Sequence, residues 1–361
     1  MSVAPSDGDP IRCRISDGLA AWLQATTGSV VFTTYQAGKV GWLGWHNRQP
    51  TVLLRHLDRP TGLALVAGTV TQLAVAARNQ VVVWADAPAL AREYPPGQLA
   101  AGHDALFLPR AVYPTGDLLW HDLAATATGW VGVSTRFSCL ARIGGAYALE
   151  PIWKPPFIPE LAPDDSCHLN GLAVRAGRPA FVTALGTTHT PAGWRAHKAT
   201  GGVVIDVASG AVVVGGLAMP HSPRWHNGQL WVLNSGHAEL GVVDPGAGTY
   251  TPVCRLPGYP RGLWVGPDVA LVGLCRIREH RTFGGLPIER QRDQLCCGIA
   301  VVNVGRGEVI GLLEFTAGCE ELFDVGWLPG VRHPMLLAPT DETAHAALPG
   351  PAFGYWMRPS G

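Results

Sequence analysis

Three histidines, His121, His168 and His221, each open a segment of one type: a polar start, small and apolar residues, a Gly-containing turn, then a strongly apolar run. The segments read His121-Asp122-Leu123-Ala124, His168-Leu169-Asn170-Gly171-Leu172-Ala173 and His221-Ser222-Pro223-Arg224-Trp225, followed by apolar runs at 129 to 134, 179 to 185 and 229 to 234. Neutral imidazoles ligate zinc, iron or copper, and three protein ligands with one open position is the arrangement of a catalytic metal site. Asp122, Glu320, Glu321 or Asp324 would then complete the shell or orient a histidine from outside it. Two other roles are open to the trio. The rings can cap the polar end of a channel, bonding to carbonyls that inner strands leave unpaired. Or they can act without a metal, His121 or His168 holding a proton near neutral pH while Arg59, Arg136 or Arg261 grips an anionic substrate. Asn170, Arg224, Arg276 and Arg281 complete the candidate substrate-binding set.

Such groups converge only if a repeat brings them together. Related segments begin at Arg59, Arg261 and Leu322, which makes six starts separated by roughly 40 to 60 residues, the period of propeller blades. From His168 the order is strand 169 to 175, strand 180 to 185, an insertion, strand 202 to 207 and strand 211 to 217. From His221 four strands recur at 222 to 226, 229 to 234, 239 to 244 and 249 to 255. Near the N-terminus, strands around 29 to 34, 39 to 45 and 51 to 56 resemble a blade without its innermost strand, and 322 to 328 is placed to supply it and close the ring. An all-β propeller of six four-stranded antiparallel blades is therefore expected, with seven as the alternative because 334 to 339 fits poorly. In this arrangement one face receives short turns such as Gly68-Thr69 and Asn227-Gly228. The other receives the histidines and the long insertions 187 to 200 and 276 to 297, the second of which is expected to act as a lid.

Composition sets the remaining bounds. The 45 Gly and 30 Pro punctuate many short strands, and residues 16 to 27, capped by Ser16, alone look helical. Residues 1 to 15 are expected to be a disordered tail and 16 to 361 a single domain. A formal net charge of +0 gives no basic footprint for nucleic acid or an acidic membrane surface. Without a leader-like N-terminus or a long apolar run, the expected location is cytoplasmic. The eight cysteines are then expected to be reduced thiols, with Cys13, Cys139, Cys254 and Cys275 as buried small hydrophobes and no bridge between the adjacent Cys296 and Cys297. Trp225, Trp231 and Trp264 read as core, whereas His46, His56, His103 and His333 lack repeat equivalents and read as surface.

Thr34-Tyr35-Gln36-Ala37-Gly38-Lys39, Arg136-Phe137-Ser138-Cys139-Leu140, Cys167-His168-Leu169-Asn170-Gly171-Leu172-Ala173, Pro220-His221-Ser222-Pro223-Arg224-Trp225 and Arg281-Thr282-Phe283-Gly284-Gly285-Leu286-Pro287 resemble segments of a bacterial family of conserved hypothetical proteins. The likeness covers nearly the whole chain and implies a family-wide mouth built from these segments, with no assigned reaction. More distantly, Asn170-Gly171-Leu172-Ala173 is similar to the inner-strand start of gluconolactonase and strictosidine-synthase-like six-bladed propellers, where such an Asn ligates a divalent metal. Those proteins rely on carboxylates and Asn where this chain offers His. Together these features lead to a metal-assisted enzyme of hydrolase or lyase type, acting on a small polar metabolite or peptide side chain. In that expectation His121, His168 and His221 serve as ligands or acid-base groups, and Asp122 and Glu320 as carboxylate partners. An oxygenase is the alternative if the metal is iron, and a non-catalytic ligand- or peptide-binding scaffold is the alternative from another class.

Overall fold

The computed structural model describes residues 10–96, 102–277, 283–351 and 353–357. Its strands form six sheets of at least four strands each, plus a two-stranded hairpin. The apolar runs that the sequence shows become strands whose side chains pack between neighbouring blades. Blade 1 is closed across the termini. Its innermost strand, Leu322–Pro329, pairs with Gly28–Thr34, followed by Lys39–His46 and Gln49–His56. The expected ring closure is thus the one adopted, with six blades rather than seven.

Two edge additions differ from expectation. Pro334–Leu336, which fits no blade by pattern, pairs in parallel with Ala105–Pro114 as a fifth strand of blade 2. Residues expected in the N-terminal tail instead form the strand Arg12–Ile15, which covers the outer edge of blade 6 beside Glu308–Ala317. Both additions shield an open strand edge. The short helix Asp17–Ala25 is capped by Ser16, whose hydroxyl accepts from the Leu19 N–H at 3.3 Å. It buries Leu19 and Leu23 against blades 6 and 1.

A repeated hydroxyl or thiol locks four of the six blades to the next. Near the end of the second strands, Thr33, Thr135 and Ser235 donate to the carbonyls of Thr61, Leu169 and Pro260, at 2.6, 2.6 and 2.7 Å. The Cys275 thiol does the same to Leu322 at 2.9 Å. Each acceptor stands at the start of the following blade's inner segment, so carbonyls that the inner strands leave unpaired are satisfied here. The inner strands pack so closely that a Cβ on Gly62 or Gly262 would meet the Cα of Asp122 or Asp324 at 2.6 or 2.5 Å.

No helix among the described residues is long and apolar enough to cross a membrane. All eight cysteines are free, and Cys13 is exposed rather than buried, because its strand lies at the outer sheet edge. Cys296 and Cys297 do not bridge; the Cys297 sulfur faces that of Cys319 at 3.9 Å.

Candidate functional site

The true register of the inner segments is written in the backbone. Arg59, Leu119, His168 and Met219 all take a left-handed φ, between 47° and 51°, and each stands three residues before Gly62, Asp122, Gly171 or Ser222. His121 and His221 are therefore equivalent to each other, and His168 is not: it occupies the left-handed position ahead of its strand. One ring of equivalent positions comprises Thr61, His121, Asn170, His221, Arg261 and Phe323. His168 reaches the same place from the loop. The ring centroids of His121 and His168 are 5.3 Å apart, those of His121 and His221 5.5 Å, and those of His121 and Phe323 4.8 Å.

Hydrogen bonds assign one tautomer to all three rings. His221 Nδ1 lies 2.9 Å from the Met219 carbonyl, which can only accept, and 3.1 Å from the Ser235 hydroxyl, whose proton goes to Pro260. His121 Nδ1 lies 3.2 Å from the Thr135 hydroxyl, whose proton goes to Leu169. His168 Nδ1 lies 2.9 and 3.0 Å from the two oxygens of Asp165, a carboxylate fixed in turn by the Trp194 indole N–H at 3.2 Å. Every Nδ1 donates outward, which leaves each Nε2 with a free lone pair. The Nε2 atoms of His121 and His221 are buried and have no partner. Burial first, then the positive charge of Arg261, holds both rings well below the ordinary histidine range, so both are neutral at physiological pH.

Beneath the histidines the channel is plugged. Arg224 donates to Asp122 at 2.7 and 3.2 Å and approaches Asp324 at 3.5 Å, while its Nε donates to the Leu263 carbonyl. Asp122 also accepts from the N–H groups of Leu123 and Leu172, and Asp324 from those of Leu63 and Val325. Each aspartate ties its blade to the next, on alternate blades of the ring. Where the sequence suggests Asp122 as a carboxylate partner of the histidines and Arg224 as a substrate grip, the structure pairs the two with each other below the floor, and neither lines the cavity. Burial pushes the Asp324 carboxyl up to about 7 against the opposing pull of Arg224.

Above the histidines lies a cavity of about 1170 Å³, lined by His121, His168, Arg261, Arg276, Glu320 and Phe323 among others. The two long insertions roof it together. Trp194 of the first and Leu286, Ile288 and Leu295 of the second bury into one apolar cluster with Met219, Tyr259 and Cys275. Arg261 is pinned to Glu321 at 2.8 Å and lies 4.4 Å over the Phe323 ring. Among the described residues, no group of three or more His, Cys, Asp or Glu side chains is disposed to hold a metal ion as the rings stand.

With the geometry in place, comparison with known proteins sets the chain's kinship. The profile of the family described as a domain of unknown function, DUF4915, matches residues 17–337. The chain belongs to that family. No curated protein matches this DUF4915 chain. It is similar to a chain of a nidogen/laminin complex at 9% identity and TM-score 0.48, and to a protein of unknown function from Bacteroides caccae at 8% and 0.49. Each likeness covers 84% of this chain and 99% of the other.

Several further candidates of the DUF4915 chain fall elsewhere. Arg59 is exposed, 5.9 Å from the Tyr35 ring, and Arg136 is spent on the carbonyl and carboxylate of Asp117, at 2.6 and 2.8 Å; neither lines the cavity. Asn170 uses both ends of its amide within the protein, accepting from Thr183 and donating to Pro220, and does not line the cavity. Arg281 lies outside the described residues. His46, His103 and His333 are not scattered surface groups: their rings stack at 3.9 and 4.3 Å between blades 1 and 2, where Asp104 holds the N–H groups of Arg332 and His333. Sequence reasoning missed Asp165, although an acidic residue three positions before His168 was the available signal.

Proposed function

We propose that this protein is a metal-assisted enzyme of hydrolase or lyase type, which takes a small polar metabolite or a peptide side chain into the roofed cavity. The Nε2 atoms of His121, His168 and His221 would hold one divalent transition metal, zinc, iron or copper. The observation that carries the proposal is the pair of buried Nε2 atoms, on His121 and His221, that face no partner. An unsatisfied buried polar atom costs about 1–3 kcal/mol, and a ligand that uses the lone pair removes that penalty. Support also comes from the outward hydrogen bond on every Nδ1, which is how metal-ligating histidines are oriented, and from the neutral state that burial imposes on His121 and His221.

The planes of His121 and His168 meet at 81° and those of His121 and His221 at 36°, so joint ligation calls for the rings to turn from these positions. An ion so held would polarise a carbonyl or lower the pKa of bound water. The chain's own contributions are distinct: Asp165 fixes His168, and Glu320 stands at the cavity wall. Cobalt(II) titration tests the reading. A stoichiometric rise of visible absorption characteristic of a low-coordinate site, absent from His168→Ala, supports it. Flat spectra in the wild type refute it.

A second reading rests on the His168–Asp165 pair, which alone would make His168 a metal-free base facing the cavity. It is distinguished by activity that survives chelation and disappears in His168→Ala. A peptide scaffold has less support, because the exposed Tyr355 and Phe353 belong to the terminal hairpin and neither lines the cavity.

A further inference from the structure

The histidine floor explains where chemistry would occur but not what is brought to it. Two guanidinium groups of blade 6 line the cavity: Arg261, from the inner strand, and Arg276, just past the second. Arg261 is half-buried, and only its Nη1 meets a carboxylate, that of Glu321; its Nε is buried and has no partner. Arg276 is half-buried, and its guanidinium forms no ion pair with any described residue. Its backbone N–H donates to the Glu320 carbonyl at 2.9 Å, which fixes the base of the side chain against blade 1. The adjoining surface is apolar. Phe323 lies under Arg261, and Phe283 packs edge-on against Tyr259 at 5.0 Å.

A half-buried guanidinium in no ion pair, lining the same cavity as a second guanidinium with a donor to spare, is a receptor for a planar anion. Arg261 is already paired with Glu321, and Glu320 lines the same cavity, so the group left to meet an anion is the single guanidinium of Arg276, which suits a monoanion better than a phosphate ester. We infer that the cavity takes a small carboxylic acid with an apolar body, the carboxylate held by Arg276 with help from Arg261 and the body lying on Phe283 and Phe323. The inference rests on the cavity being the substrate site proposed above. It specifies the class of molecule that would enter it.

The test is calorimetric titration of the intact protein with aryl- and alkyl-acetic acids, phenylacetate first, and with their neutral amides. Acids are expected to bind at least tenfold more tightly than the paired amides. Arg276→Gln should abolish that preference and Arg276→Lys restore part of it. The same titrations on chelator-treated protein and on His168→Ala separate this inference from the metal proposal. Retained acid preference in samples that never take up metal would leave the carboxylate pocket standing while the metal reading fails. Equal binding of acids and amides, no binding of either, or a preference indifferent to Arg276→Gln would overturn the inference.

Discussion

His168 Nδ1 lies within 3.0 Å of both oxygens of Asp165, and the same carboxylate accepts from the Trp194 indole. A loop insertion, a loop carboxylate and a histidine outside the strand register are thereby made one unit. The consequence is that His168 is aimed from a rigid support although it sits on no strand. Asp165→Asn should keep the fold and weaken metal binding about 10–100-fold, the usual effect of removing a carboxylate that orients a ligating histidine. Competition with a chromophoric zinc chelator measures it. An unchanged affinity would mean that His168 needs no such partner.

The Arg224 plug predicts a stability effect rather than a catalytic one. Arg224→Met leaves two buried carboxylates facing each other, and removal of one partner from such a pair costs about 3–5 kcal/mol. Thermal unfolding should show the loss, while metal stoichiometry, measured below the new melting temperature, should be unchanged.

Asp324 makes the same cluster sensitive to pH. Burial raises its carboxyl from the ordinary 3.8 to about 7, so the folded state holds a proton that the unfolded chain releases. The corresponding part of the stability is present below about pH 4 and is lost as pH rises toward 7. Asp324→Asn should flatten this dependence. Urea midpoints at pH 5, 6, 7 and 8 provide the comparison, and identical slopes for wild type and variant would contradict it.

The close packing of inner strands predicts that Gly262→Ala is poorly tolerated. A Cβ there would lie 2.5 Å from the Asp324 Cα, and φ at this position is +79°. The variant should melt well below wild type, whereas Gly228→Ala, also at positive φ but with open space around it, should lose only about 1 kcal/mol from backbone strain.

The fold was legible because segment starts followed by apolar runs and Gly-containing turns recur at blade-like intervals, and because the N-terminal blade visibly lacked an inner strand that residues 322 to 328 supply. The convergence of the three histidines was legible for the same reason, although their equivalence was overstated. A shift of a few residues in the start of an inner segment is invisible in composition, and only the left-handed backbone at His168 and Met219 reveals it. The pairing of Asp122 with Arg224 was not legible, because a charged residue on an inner strand can point at the mouth or across the channel. The His46, His103 and His333 stack, and the edge strand Arg12–Ile15, depend on contacts between chain ends that no local pattern encodes.

The central claim is that three imidazole lone pairs at the channel mouth bind a metal. Its most direct test is elemental analysis of protein purified without a histidine tag, beside a His168→Ala, His221→Ala double variant whose folding is confirmed by circular dichroism. The account predicts near-stoichiometric zinc, iron or copper in the wild type and none in the variant. No metal in the wild type, even after reconstitution with each ion, or equal metal in both proteins, would contradict it.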